Sequence, residues 1–198
     1  FNEALLRSAR SSCHIMMYDT LPFDTEGLPL ERASAIKLVI FDVDGVLTDG
    51  RLFVDNHGQE HKAFNSRDGH GMKMLRHSGV EIGIITGRCS GVVTHRTKEL
   101  GIRHVHQGSD NKLASYLQLL KETGLSEAQT AFVGDDVVDL PVLLRSGLAV
   151  AVQNAHPLVK KHAHWITPSA GGQGAARELC EMIMLAQGSY TAIMGRYL

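Results

Sequence analysis

Two aspartates directly follow the most strand-like apolar run of the sequence. Residues 38–41 read Leu-Val-Ile-Phe, and Asp42 and Asp44 come immediately after them. Carboxylates at the end of a buried strand are unfavourable unless they bind a cation or accept several hydrogen bonds. The carboxyl ends of the strands are also where open parallel sheets bind their ligands. The pattern therefore predicts a cation site at the end of the first core strand.

Three further groups of polar residues follow later predicted strands in the same way. They are Thr86-Gly87-Arg88, Lys112 at the start of a predicted helix, and the segment 134–139, which reads Gly-Asp-Asp-Val-Val-Asp. Because the carboxyl ends of parallel strands meet at one edge of a sheet, we expect these groups to share one crevice. That crevice would combine carboxylates, a hydroxyl group, a lysine and glycine backbone amides.

This combination of side chains suits phosphoryl transfer. The transferred group carries charge on its outer oxygens, so catalysis is largely positioning and electrostatic stabilisation. Carboxylates without His or Cys partners favour a hard cation, Mg²⁺ above all. An aspartate can act as the nucleophile, and a second acid can protonate the leaving oxygen and later activate water. The glycine-rich loop with Lys and Ser/Thr that cradles nucleotides is absent from the sequence.

In order and spacing, the four groups resemble the four motifs of the haloacid dehalogenase-like phosphatases. Other segments resemble one capless group of that superfamily, the 3-deoxy-D-manno-octulosonate (KDO) 8-phosphate phosphatases of lipopolysaccharide biosynthesis. These segments are 64–69, 107–108, 111–112, 155–158 and 171–178. The resemblance covers approximately residues 36–188. It implies Mg²⁺-dependent hydrolysis of KDO 8-phosphate through an aspartyl-phosphate intermediate.

The resemblance also implies roles for the acidic residues and the lysine. Asp42 is expected to be the nucleophile and a Mg²⁺ ligand. Asp44 is expected to be the general acid/base, with its backbone carbonyl on the metal. Asp135 would be the remaining protein ligand, and Lys112 would neutralise the nucleophile and the phosphate. The residues expected to orient metal-bound waters and Lys112 from behind are Asp136 and Asp139.

Substrate contacts are implied for a hydroxyl, an amide and three arginines. Thr86 and the backbone amide of Gly87 would hold the phosphoryl oxygens. Arg88 is a suitable contact for a sugar acid, because a guanidinium group matches carboxylate and phosphate geometry. Arg67 and Arg96 are further candidates for the same task.

Some of these residues have structural alternatives. Asp139 opens a predicted helix, where a carboxylate is favourable without any catalytic role. Arg67 is equally suited to an ion pair with Asp68. Two histidine pairs, 104/106 and 162/164, lie at strand-like spacing but have no third soft ligand nearby, so we expect them on the surface or in packing.

The elements that position these residues alternate between strand and helix. Beyond the first strand, strands are predicted at 80–86, 102–106, 130–134, 148–152 and 164–167. Apolar residues at helical spacing predict helices over 113–120 and 179–186. This alternation predicts an α/β fold with a doubly wound, mostly parallel sheet. The resemblance makes the sheet Rossmann-like, of the haloacid dehalogenase type, and the short gaps between motifs leave no room for a cap domain.

Glycines mark the ends of several predicted helices. Gly79, Gly101, Gly124 and Gly147 each follow a helical segment. A left-handed residue commonly ends a helix, and glycine adopts that conformation most readily. We therefore expect all four to be left-handed caps.

One segment interrupts the alternation. Residues 51–54 and 60–64 flank a turn rich in Asn and Gly, which predicts a β-hairpin inserted after the first strand. Its apolar residues make it a candidate oligomer contact, and the resemblance implies a homotetramer. We divide the chain into an N-terminal extension of unknown role at 1–35, with helical turns at 3–10, a phosphatase domain at 36–188 and a tail at 189–198.

Composition excludes several classes of partner. The 198 residues carry a formal net charge of −1, so no broad basic face for nucleic acid is expected. No apolar run approaches the roughly 20 residues of a membrane span. Three widely separated cysteines indicate reduced thiols and a cytoplasmic location. The first residue is Phe, so we expect further residues upstream. The expected partner is a small sugar-acid phosphate.

Two other functions remain open at the level of sequence. A phosphatase acting on a nonulosonate 9-phosphate would use the same chemistry on a related sugar. A non-catalytic oligomerisation module, related to domains of sialate-activating enzymes, would not need the complete set of motif residues.

Overall fold

A six-stranded parallel sheet forms the centre of the protein. The computed structural model describes residues 26–198. The sheet strands are β1 (Leu38–Phe41), β4 (Glu81–Ile85), β5 (His104–His106), β6 (Thr130–Gly134), β7 (Leu148–Ala151) and β8 (Trp165–Ile166). Their spatial order is β5-β4-β1-β6-β7-β8, and every neighbouring pair is parallel. The predicted α/β fold with a parallel sheet is confirmed.

Helices connect the strands and cover the sheet. They are α1 (Leu30–Ser34), α2 (Ser66–His77), α3 (Gly91–Glu99), α4 (Lys112–Thr123), α5 (Leu140–Leu143), α6 (Pro157–His162), α7 (Ala175–Ala186) and α8 (Tyr190–Met194). Short 3₁₀ turns occur at Glu127–Gln129, Val137–Asp139 and Gly195–Tyr197. Within residues 26–198, no helix combines the length and the hydrophobicity that crossing a membrane requires.

The strand order reverses beside β1, and this reversal positions the candidate site. From β1 the chain moves outward through β4 to β5, then returns to β6 on the other side of β1 and continues to β7 and β8. All residues of β1 and β6 are buried. Open α/β sheets bind ligands in the crevice at such a switch point. The loops that follow β1 and β6 therefore meet at the point where a ligand would bind.

The predicted hairpin is present but shorter than expected. Its strands, β2 (Phe53–Val54) and β3 (Glu60–His61), pair antiparallel. The carboxylate of Asp55 accepts hydrogen bonds from the backbone of His57 and Gln59 and so closes the turn. The hairpin is a separate two-stranded sheet, and without a third strand the ladder ends after two residue pairs.

The first and last helices of the described chain, α1 and α8, both pack against α7. Ala33 in α1 is fully buried, and the side-chain amide of Gln187 donates hydrogen bonds to the backbone oxygens of Ala33 and Ile36. Ile193 in α8 is also buried. Leu28 and Leu30 also pack against the hydrophobic core. The helical turns predicted at 3–10 lie outside the described residues. The division at residues 36 and 188 stays a prediction.

One of the predicted glycine caps is wrong. Gly79, Gly101 and Gly124 have positive φ angles, but Gly147 does not. A Cβ atom on Gly147 would instead lie 2.4 Å from the backbone oxygen of Ala128. Glycine is required at position 147, but the cause is the close approach of the Ala128 backbone and not a left-handed helix cap.

We predict that Gly147→Ala destabilises the fold by about 1–3 kcal/mol, since the added methyl group overlaps rigid backbone. Gly91→Ala is the matched control, because a Cβ atom at Gly91 meets no atom within 4 Å. Urea unfolding of both variants measures the difference. Equal free energies of unfolding for the two variants would contradict the packing argument.

Candidate active site

A pocket of about 320 Å³ opens at the carboxyl ends of β1, β4 and β6. Most of the predicted site residues line it. The lining consists of Asp42, Asp44, Gly50, Thr86, Gly87, Arg88, Lys112, Asp135, Asp136 and Val138. The expectation that four separate motifs share one crevice therefore agrees with the geometry of the chain.

Three carboxylates form the base of this site. Oxygens of Asp42, Asp135 and Asp139 lie within 4.8 Å of one another. Asp139 is fully buried and already occupied, because its Oδ2 accepts from the backbone N–H groups of Asp135 at 3.0 Å and Asp136 at 3.3 Å. Its Oδ1 accepts from Lys112 Nζ at 2.6 Å. Asp139 thus orients its neighbours and has little capacity left for an ion.

Asp42 has an oxygen that is free for a cation. Its Oδ1 is buried and has no hydrogen-bond partner among the described residues. A buried carboxylate oxygen without a donor is unfavourable unless a cation or ligand completes it. Together with the Asp135 carboxylate, this oxygen supplies the hard donor set that Mg²⁺ prefers. The residues present therefore fit a magnesium ion.

Gly45 allows Asp135 to approach the loop after β1. Its φ angle is +92°, and a Cβ atom there would lie 2.1 Å from Asp135 Oδ2. Glycine is thus required both by the backbone conformation and by the contact. A second glycine supports the same loop, because a Cβ atom on Gly171 would lie 1.7 Å from the backbone oxygen of Gly45.

Lys112 provides the positive charge of the acidic base. Its Nζ lies 3.0 Å from Asp42 Oδ2 and 2.6 Å from Asp139 Oδ1. The residue opens α4, where Asn111 is the N-cap and accepts from the backbone N–H of Ala114. A cation at a helix N-terminus is electrostatically unfavourable, so the two carboxylates, and not helix formation, account for a lysine here.

The burial and crowding of these groups shift their proton affinities. Burial, followed by the charge of Asp139, raises the pKa of Asp42 to about 6, although Lys112 opposes this shift. Burial and the charges of Asp139 and Asp42 raise the pKa of Asp135 to about 7. Burial alone would lower the pKa of Lys112, but the charges of Asp42 and Asp139 outweigh it and the pKa is raised. The site accumulates more negative charge than Lys112 can neutralise.

Thr86, Gly87 and Arg88 follow β4, which lies on the other side of β1 from β6, the strand that Asp135 follows. Thr86 is buried directly after β4, and its backbone N–H donates to the oxygen of His106 at 2.9 Å. Arg88 is half exposed at the rim, with Nε 3.9 Å from Asp44 Oδ2. These positions suit contacts with a phosphoryl group and with the organic part of a substrate, respectively.

Two predicted substrate contacts, Arg67 and Arg96, lie outside this pocket. The Arg67 guanidinium donates to the backbone oxygen of Gln173 at 3.4 Å. The Arg96 guanidinium pairs with Glu99 at 2.8 Å and lies 5.9 Å from the centre of the Phe64 ring. Neither arginine lines the pocket. Their assignment as substrate contacts stays a prediction that this chain's own pocket does not support.

Two residues that the sequence reasoning missed contact the site from the hairpin. The Lys62 ammonium forms an ion pair with Asp44 Oδ1 and lies 3.0 Å from Glu60 Oε1. Glu60 also accepts from Arg88 Nη2 at 3.1 Å. The available signal was the two-residue spacing of Glu60 and Lys62, which places both side chains on one face of a strand.

Comparison with known proteins identifies relatives over most of the chain. Residues 89–179 match the sequence model of the haloacid dehalogenase-like hydrolases. A protein of Escherichia coli K12 named 3-deoxy-D-manno-octulosonate 8-phosphate phosphatase KdsC is 45% identical over 167 residues, which is 84% of this chain and 89% of that protein.

Solved structures give the same picture. A probable YrbI family phosphatase from Pseudomonas syringae has a TM-score of 0.84 and 52% identity, covering 85% of this chain and 96% of that one. A KDO 8-phosphate phosphatase from Moraxella catarrhalis, solved with magnesium, phosphate and KDO, has a TM-score of 0.84 and 40% identity. It covers 85% of this chain and 97% of that one.

The raised pKa values of Asp42 and Asp135 predict that protons compete with Mg²⁺. Below pH 7 the metal-free acids hold protons that the ion must displace, so affinity falls as the pH falls. We expect affinity at about pH 6 to be about 10-fold or more below that at about pH 8. Calorimetric titration in buffers of different ionisation enthalpy measures both the affinity and the protons released. Constant affinity, with no proton release, would contradict the electrostatic account.

Proposed function

Since this chain belongs to the family of 3-deoxy-D-manno-octulosonate 8-phosphate phosphatases among the haloacid dehalogenase-like hydrolases, we propose that it hydrolyses KDO 8-phosphate. The products are KDO and inorganic phosphate, and the reaction depends on Mg²⁺. The observation that carries this proposal is the 45% identity to named phosphatases over 89% of their length. The geometry supports it, because one pocket is lined by Lys112, Thr86 and four of the acidic motif residues, Asp42, Asp44, Asp135 and Asp136.

The first half of the proposed reaction forms a covalent intermediate on Asp42. One carboxylate oxygen of Asp42 attacks phosphorus, and the bond between phosphorus and the sugar oxygen breaks. Asp44 donates a proton to that leaving oxygen, which departs as the alcohol of KDO. Lys112, 3.0 Å from Asp42 Oδ2, stabilises the charge on the nucleophile and on the phosphoryl oxygens.

The second half releases phosphate. Asp44, now a carboxylate, accepts a proton from a water molecule as that water attacks phosphorus. The bond between phosphorus and Asp42 breaks, which restores the Asp42 carboxylate, and Asp44 ends protonated as it began. Asp139 takes no direct part but keeps Lys112 and the backbone of Asp135 and Asp136 in place through its three hydrogen bonds.

Magnesium is proposed to bind at Asp42 and Asp135, with the backbone carbonyl of Asp44 as a third ligand from the protein. When bound, the ion would offset the charge of the acidic cluster and of the phosphate oxygens. Asp136 is expected to help orient its waters, and its side chain meanwhile caps the 3₁₀ turn by accepting from the N–H of Val137 at 2.7 Å.

The same proposal includes a cytoplasmic homotetramer. Its support is the apolar surface of the hairpin, where Leu52, Phe53 and Val54 are each more than half exposed. A ribbon with that much exposed apolar surface is suited to contact with other copies of the chain. A cytoplasmic location would match the place where a soluble sugar-phosphate intermediate is made and consumed.

Steady-state kinetics on two sugar phosphates test the function. We expect Mg²⁺-dependent phosphate release from KDO 8-phosphate, with kcat/KM at least about 10-fold above that for a nonulosonate 9-phosphate. Asp42→Asn serves as the matched inactive variant and should lose at least about 10³-fold in kcat, because it removes the nucleophile. A preference for the nonulosonate 9-phosphate would contradict the proposed substrate. Full activity of Asp42→Asn would contradict the assignment of Asp42 as the nucleophile.

A further inference from the structure

The hairpin contains a lysine whose burial contradicts the ordinary pattern of a surface ribbon. The Lys62 side chain is 1% exposed, whereas Phe53 and Val54 on the facing strand are 52% and 57% exposed. Burying an ammonium group is unfavourable unless it is paired, and folding would instead favour burial of the apolar residues. The hairpin therefore buries a charged side chain against the rest of the protein, while two of its apolar side chains stay exposed to solvent.

The partners of Lys62 show what that charge does. Its ammonium contacts Asp44 Oδ1 and lies 3.0 Å from Glu60 Oε1. The same Glu60 oxygen accepts from Arg88 Nε at 3.3 Å and Nη2 at 3.1 Å. Glu60 therefore braces both cations that face Asp44, and the hairpin is joined by this network to the loop after β1.

The two carboxylate oxygens of Asp44 have different partners in this network. Oδ1 is paired with the buried Lys62, whereas Oδ2 faces the half-exposed Arg88 at the longer distance of 3.9 Å. Fixing one oxygen of a carboxylate fixes the direction of the other. Asp44 Oδ2 accordingly lies on the side of the half-exposed Arg88, which also lines the pocket, and we place the leaving group on this side.

We propose that Lys62 is a positioning residue that holds Asp44 Oδ1, so that Asp44 Oδ2 exchanges the proton with the leaving oxygen. The inference rests on the proposed function in so far as it takes Asp44 as the general acid. Glu60 supports Lys62 from the hairpin side. This assigns a catalytic task to the hairpin that is separate from any contact it makes with other copies of the chain.

The role predicts an effect that depends on the leaving group. A sugar alcohol is a poor leaving group and needs a proton as the bond breaks, whereas nitrophenolate leaves without one. Loss of Lys62 should therefore slow the release of KDO, in the first half of the reaction, far more than the release of nitrophenolate. The second half starts from the same phosphorylated Asp42 for both substrates, so any effect there is equal. General misfolding, or a weaker phosphate site, would slow both reactions alike.

The experiment compares Lys62→Met and Lys62→Arg on the full chain with Mg²⁺. For Lys62→Met we expect the rate of KDO release in a single turnover of KDO 8-phosphate to fall about 100-fold, and the rate of nitrophenolate release in a single turnover of p-nitrophenyl phosphate to fall no more than about 5-fold. Lys62→Arg keeps the charge and a donor, so it should recover part of the loss. The matched control is Lys121→Met, an exposed lysine in α4, which should leave both reactions unchanged.

Equal losses on the two substrates, no loss on either, or no recovery in Lys62→Arg would each overturn the positioning role. Thermal unfolding of each variant shows whether the fold is retained. A wild-type enzyme that is inactive on KDO 8-phosphate would contradict the proposed function instead. The comparison of leaving groups would then use whichever alkyl phosphate the wild type does hydrolyse, so the two failures are distinguishable.

Discussion

Repulsion among three closely spaced carboxylates, two of them buried and one half-buried, is the constraint on which the rest of the structure depends. Oxygens of Asp42, Asp135 and Asp139 converge within 4.8 Å, and such a cluster is unfavourable in a protein interior without compensating charge. Lys112 and the backbone N–H groups bound by Asp139 offset part of it. The remaining imbalance raises the pKa values of Asp42 and Asp135 and makes the site a strong attractor for a divalent cation.

The fold places this unfavourable cluster where the sheet can hold it. The central strands β1 and β6 are entirely buried and parallel, so the residues that follow them are rigidly presented. Gly45 and Gly171 allow the loops to approach more closely than any side chain would permit. The hairpin then contributes Lys62, whose ammonium pairs with Asp44. Rigid strands, tight glycine loops and one buried ribbon lysine together fix groups that would otherwise move apart.

Sequence reasoning succeeded where a residue follows a clearly predicted strand, because the strand then determines its place in the fold. Asp42 and Asp135 follow apolar strands, and parallel topology brings such ends together, so their proximity could be predicted. It failed where a residue type has two possible causes. Gly147 serves close backbone approach and is no cap. It also failed for Lys62, because a ribbon lysine looks solvated until the three-dimensional path of the hairpin shows its ammonium beside Asp44.

A crystal structure with Mg²⁺ and a phosphate mimic such as tungstate tests the central claim most directly. The account predicts one metal ion on the carboxylates of Asp42 and Asp135, with the mimic between Asp42 and Thr86 and within reach of Lys112. A metal ion bound away from Asp42 and Asp135, or a mimic bound outside this pocket, would contradict it.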